Sequence, residues 1–176
     1  MNAGHYSIPL TGLKEGRHEY EFEIGDEFFE DFENSEIKRG ELKTAVTLVK
    51  RSTHMELNIR IEGFVKLTCN RCLEEYEQRV EADSDLLIKS GEQWEEVNDE
   101  VVMIPQGEDA LDLSQFVYEI VHLGLPIGRY HPDDESGKST CNPEMLEKLD
   151  QHIAEHDNNS DPRWSDLGKL KEGLEN

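Results

Sequence analysis

The sequence has no apolar run approaching the ~18 residues that mark a membrane span. Its first stretch, MNAGHYSIPLTGLKEG, lacks the basic segment and apolar run of a secretory signal. The expected address is therefore cytoplasmic. Hydrophobic residues are scarce, 35% against 33% charged, so a core must be drawn from part of the chain, leaving polar segments outside it. Cysteine is scarce too. Three residues, an odd number with no export signal, argue against a disulfide framework and leave thiols or metal ligands. Basic residues number 18 against 40 acidic ones, a net charge of −22. That charge favours solubility and repels nucleic acid unless the cations cluster. Also missing are a Gly-x-Gly-x-x-Gly fingerprint, a P-loop and a His-Glu-x-x-His motif, and the seven histidines are scattered. Nothing in the residues supports an enzyme.

What is present is concentrated in the middle. Between Lys38 and Arg79 stand nine basic and six acidic residues, a local +3 that leaves −25 for the rest. This stretch also has the clearest β-pattern. From Met55 to Cys69 the odd positions are apolar (Leu57, Ile59, Ile61, Val65, Leu67) and the even ones mostly polar. Period-two alternation over fifteen residues predicts a long strand with one buried face, bent or bulged at Gly63. Leu42, Thr44, Val46 and Leu48 predict a preceding partner, joined through a turn at Lys50–His54. Further strands are expected at His18–Ile24, from Tyr76 through Ala82, and at Val101–Ile104. A helix capped by Asp112 carries Leu113, Phe116, Val117, Ile120 and Val121 on one face and stops at Gly124 and Pro126. A short helix is expected over Asp26–Phe32 and a C-terminal one over Arg163–Leu174. The acidic stretches Ser90–Glu100 and His131–Asp161 are expected to be mobile, with up to two helical turns around Met145, Leu146, Leu149 and Ile153.

The expected fold is α+β: an antiparallel sheet or partial barrel with a long central hairpin, covered by one or two helices. It occupies residues 1–130. An acidic, partly flexible segment with a short helix follows over 131–176.

The tightest motif is Cys69-Asn70-Arg71-Cys72, whose spacing lets two thiolates reach one metal ion. His131 and Cys141 complete a Cys3His set suited to zinc, across a spacing longer than the usual knuckle. The alternative is a buried strand-end Cys69 with Cys72 and Cys141 as ordinary thiols. Redox use has no thioredoxin-like context here. A second candidate lies on the outward face of the long strand, where Arg60 and Lys66 flank Phe64. Cations contact phosphates, and an exposed ring stacks on a base. On charge alone a solvated face of mixed sign has more weight, since Glu56 and Glu62 point the same way. An acidic protein can instead engage a basic protein through its −25 surround.

In order along the chain stand Cys69-x-Arg71-Cys72-Leu73, then Asp112-Leu113 opening a helix with Glu119. Leu123-x-Leu125-Pro126 follows, then His131 and Cys141, and finally Asp161-Pro-Arg163-Trp164 before a Leu/Lys-rich tail. This succession resembles the YceD-like large ribosomal RNA subunit accumulation proteins over roughly Leu42 to Leu170. The resemblance implies a non-catalytic role in maturation or stability of large-subunit (23S) ribosomal RNA. Its partners would be precursor particles, ribosomal RNA, or basic ribosomal or assembly proteins, with no membrane and no small-molecule substrate. It also implies joint importance for the cysteine pair and the Asp161–Trp164 segment. Some members carry extra cysteines after the Leu-Pro segment; this chain has only His131 and Cys141 there. Arg60, Phe64, Lys66, Arg71, Asp161, Arg163 and Trp164 are the candidate RNA or partner contacts. A protein-only adaptor or zinc-binding interaction module is the alternative, and an RNA-processing enzyme a more distant one.

Overall fold

The computed structural model describes residues 6–152. Its centre is a six-stranded sheet. In chain order the sheet contains β2 (Gly16–Ile24), β3 (Arg39–Lys50), β4 (His54–Thr68), β5 (Glu75–Gly91), β6 (Glu95–Asn98) and β7 (Val101–Pro105). Their spatial order is β2-β3-β4-β5-β7-β6. A separate two-stranded piece pairs β1 (Ser7–Pro9) with β8 (Ala110–Asp112).

The alternation read from the sequence is the alternation of burial. Leu57, Ile59, Ile61, Val65 and Leu67 of β4 are buried, as are Leu42, Val46 and Leu48 of β3. The β3–β4 hairpin runs in register from Arg39↔Lys66 to Lys50↔Met55. Helices α1 (Asp26–Glu30) and α2 (Ser114–Leu123) cover the apolar face. Phe28 and Phe29 enter the core from α1, and Phe116, Val117, Ile120 and Val121 from α2. The Asp112 carboxylate accepts the Ser114 N–H at 2.8 Å, but the N-cap position is Leu113, so α2 starts one residue later than the sequence places it.

Three features depart from expectation. The sheet is mixed, because β7 lies parallel to β5. That arrangement follows from β6, which pairs antiparallel with β7 at the sheet edge, so the chain leaving β5 passes β7's position before returning to it. β6 itself lies in the stretch expected to be mobile; all four of its residues are exposed, so no alternation marks it. β5 extends past Ala82 to Gly91, burying Leu86 and Ile88. The stretch after His131 carries α3 (Pro143–His152), with Met145 and Leu146 packed against the core. The expected helix over Arg163–Leu174 lies outside the described residues.

One buried group is badly served. Thr44 faces the core between Phe22 and Ile61, and its hydroxyl has no hydrogen-bond partner among the described residues. An unpaired buried hydroxyl costs about 1–3 kcal/mol. Thr44→Val should therefore leave the urea midpoint unchanged or raise it. A lower midpoint would show that the hydroxyl has a partner in solution.

Candidate metal centre and adjoining surface

The inward column of β4 ends at Cys69, which is fully buried. The chain then turns tightly before β5. Leu73 N–H donates to Cys69 O at 3.0 Å, and Cys69 N–H donates to Glu74 O at 2.9 Å. Leu73 takes the left-handed conformation, φ 61, which redirects the chain out of the cysteine turn into β5. Arg71 N–H points at Cys69 Sγ, 3.4 Å away. A thiol at the strand end and a second three residues later thus face the same small volume.

The other two donors come from beyond α2. Asn70 N–H donates to Arg129 O at 2.7 Å, which holds the 129–131 segment against the turn. His131 packs its ring beside Tyr76, centroids 5.2 Å apart. The stretch between His131 and Cys141 is closed on itself rather than loose. Asp133 and Ser139 form a β-bridge, and Thr140 donates to Pro132 O at 2.6 Å. The Asp134 carboxylate accepts from Ser136 N–H, Ser136 Oγ and Lys138 N–H at 2.6–2.9 Å. Those donors hold the Asp134 carboxyl below its ordinary pKa. Cys141 follows, and Asn142 then caps α3 through Glu144 N–H at 2.9 Å. The Asn142 amide also donates to Glu74 at 2.6 Å, tying α3 to the cysteine turn.

All four donor atoms of Cys69, Cys72, His131 and Cys141 lie within 4.8 Å of one another. Cys69 Sγ and Cys141 Sγ are 3.7 Å apart. His131 Nδ1 is 3.4 Å from Cys72 Sγ and 3.7 Å from Cys141 Sγ. Tetrahedral zinc with Zn–S of about 2.3 Å and Zn–N of about 2.0–2.1 Å places sulfurs roughly 3.8 Å apart, and sulfur and nitrogen roughly 3.5 Å apart. These three edges agree with the ideal ones, and the other three are no longer than 4.8 Å. The cluster can therefore coordinate a metal ion, and its Cys3His donor set fits zinc in a structural role, with four protein ligands and no vacant position.

The surroundings favour thiolate at Cys69. Burial pushes the Cys69 thiol up, but N–H groups of Cys72, Arg71 and His131 outweigh it and hold the pKa at about 5. For Cys141, a hydrogen bond with Ser139 acts downward. Burial and the sulfurs of Cys69 and Cys72 prevail and raise its pKa.

The Cys3His cluster opens onto a surface corner. Arg71, inside the cysteine turn, places its guanidinium 4.4 Å from the centre of the Tyr130 ring. Phe64, on the outward face of β4, is 51% exposed and Tyr130 is 41% exposed. Both line one groove, with Arg71 and Arg79. Lys66 is exposed beside Phe64 and lines an adjoining groove with Arg39 and Lys43. Arg60 stands further along β4, opposite Asp83, and lines neither groove. Among the described residues Arg60, Lys66 and Arg71 make no ion pair, whereas Arg39, Arg79 and Arg129 pair with Glu75, Glu81 and Glu36. Phe64, Lys66 and Arg71 are thus brought to one corner. Asp161, Arg163 and Trp164 lie outside the described residues. Sequence reading missed Tyr130, whose one local signal is its position next to His131. Among the described residues no helix is long and apolar enough to cross a membrane.

These features define a small α+β protein closed at one end by a Cys3His cluster. The chain belongs to the family described as Large ribosomal RNA subunit accumulation protein YceD, which it matches over residues 57–171. That span starts in β4 and contains all four cluster residues. The family's members are accessory factors of ribosome biogenesis rather than catalysts. No curated protein and no solved structure matches the chain.

Proposed function

We propose that this chain supports accumulation of large-subunit ribosomal RNA by holding a precursor particle, without performing chemistry on the RNA. Family membership carries this reading. The contact surface would be the corner beside the metal centre, with Phe64, Lys66 and Arg71 at its middle and Arg60 further along the same strand face. Asp161, Arg163 and Trp164 would extend the contact from the C-terminal side. Zinc, held by Cys69, Cys72, His131 and Cys141, would serve as a structural pin that keeps the 129–142 segment against the β4–β5 turn.

Reversing the charge of Arg60, Lys66 and Arg71 together should remove the protein from precursor large-subunit fractions of a sucrose gradient. Each lost phosphate contact should also flatten the salt dependence of RNA binding by roughly 0.7–0.9 in log–log slope. Unchanged sedimentation and slope would remove these residues from the contact.

A second reading has its own observation. The outward rows of β2 and β5 carry Glu19, Glu21, Glu23, Glu81, Asp83 and Asp85, all exposed. Such a face suits a basic ribosomal or assembly protein. RNase treatment separates the two, since a protein-only complex survives it.

A further inference from the structure

A protein of net charge −22 cannot hold RNA by blanketing its phosphates, so a contact must come from interactions that do not depend on net charge. We propose that the groove lined by Phe64 and Tyr130 is a stacking site for one unpaired RNA base. This inference rests on the RNA-contact reading above and specifies what is bound there.

The groove measures about 570 Å³, within the roughly 300–1,000 Å³ of pockets that enclose small organic ligands. Its two rings come from different parts of the chain. Phe64 is fixed by the register of β4 with β3 and β5, opposite Glu41 and Arg79. Tyr130 is fixed by the Asn70–Arg129 hydrogen bond and by its neighbour His131 in the metal cluster. Arg71 stacks on Tyr130, extending the platform with a planar cation. Exposed rings in such company are poorly explained by packing, since Phe64 has half its surface in water while its neighbours on the same strand face are charged.

The charges lining the groove indicate which part of a nucleotide fits. Arg71 and Arg79 are balanced by Glu77 and Asp133. A phosphate placed there would meet two carboxylates, whereas a neutral base would meet two donors and two acceptors for its edges. A duplex offers no such base, because its rings are stacked and its phosphates would run over Glu62, Glu77 and Glu81 of the sheet face. A splayed single strand fits, because only its base need enter the groove while its phosphates stay in solvent on the Lys66 side, clear of the Glu41, Glu62 and Glu77 carboxylates of the adjoining groove.

The test uses the full zinc-loaded chain and a short single-stranded RNA carrying 2-aminopurine, whose fluorescence falls on stacking, beside the same sequence as a duplex. The single strand should bind with quenching, and the duplex should bind more weakly. Phe64→Ala or Tyr130→Ala should weaken single-strand binding by about 5- to 150-fold, the range for one stacked base. Phe64→Trp should retain both binding and quenching. If both alanine variants bind like the parent while the triple charge reversal does not, the stacking site is overturned and the RNA-contact reading stands. If the parent binds no single strand and its particle association survives RNase, the RNA-contact reading falls and the stacking site falls with it. Both side chains are exposed, so unchanged circular dichroism and zinc content are expected to exclude misfolding.

Discussion

Replacing Cys69 with serine, or His131 with alanine, should abolish stoichiometric zinc and release residues 129–152 from the sheet while leaving the β3–β4 hairpin folded. The four ligands come from two stretches of chain, the β4–β5 turn and the return after α2, so the metal closes a long loop. Structural zinc contributes about 10–16 kcal/mol in finger peptides that have no other core. Here Cys69, Cys72 and Cys141 join a much larger apolar core built by the strands and α2. Ile59, Ile61, Val65, Val80 and Val121 are buried against the sheet and helix residues of that core, and the sheet should survive loss of the ion. What depends on the ion is the segment whose other attachments lie mostly at the surface: the Asn70–Arg129 hydrogen bond, the Arg129–Glu36 ion pair, the ring contacts of Tyr130 and His131 with Arg71 and Tyr76, the Asn142–Glu74 contact, and the partial burial of Met145 and Leu146. Elemental analysis of the parent should give about one zinc per chain, as a closed four-ligand site requires. Hydrogen exchange should show protection lost in 129–152 of either variant and kept in β3 and β4. A parent purified without metal from zinc-replete cells, or variants with unchanged exchange, would remove the structural role from this cluster.

The parts of the fold that were legible in the sequence are those where burial has a period. The β3–β4 hairpin announces itself because one face meets the core and the other water, and α2 because its buried positions repeat at helical spacing. β6 does not, since a fully exposed edge strand is held by backbone hydrogen bonds that any sequence can make. The parallel pairing of β5 and β7 was hidden for the same reason, because it follows from where β6 sits. The candidate metal ligands could be named from residue type and the Cys-x-x-Cys spacing. Whether His131 and Cys141 reach that pair depends on the loop between them. Its closure rests on Asp134, Ser136, Thr140 and a bridge at Asp133–Ser139, a set with the composition of an ordinary acidic loop. Tyr130 was out of reach altogether. Its groove exists only because a strand and the segment that carries His131, distant in sequence, meet at one corner.

Gly63→Ala is expected to destabilise the domain far more than a surface substitution, by at least about 3 kcal/mol, through strain and collision together. Gly63 lies in the middle of β4 with φ 150, a region L side chains rarely adopt. A Cβ there would come within 2.2 Å of Glu41 O and 2.7 Å of Leu42 Cα. Both atoms are backbone of the neighbouring strand, so no side chain can turn aside. Relief would require β3 and β4 to separate at the Leu42↔Gly63 pair. That pair adjoins the Glu41↔Phe64 pair, so the strain would also shift one ring of the groove. Gly107 provides the comparison: its φ is also positive, at 85, but a Cβ there would meet nothing within 4 Å. Gly107→Ala isolates conformational strain and should cost about 1–2 kcal/mol. In urea the Gly63→Ala midpoint should fall by about 1–3 M, given slopes of about 1–3 kcal/mol per molar for small domains. Equal losses for the two variants would mean that β3 yields without cost, and the close approach at Gly63 would then have no part in holding the hairpin.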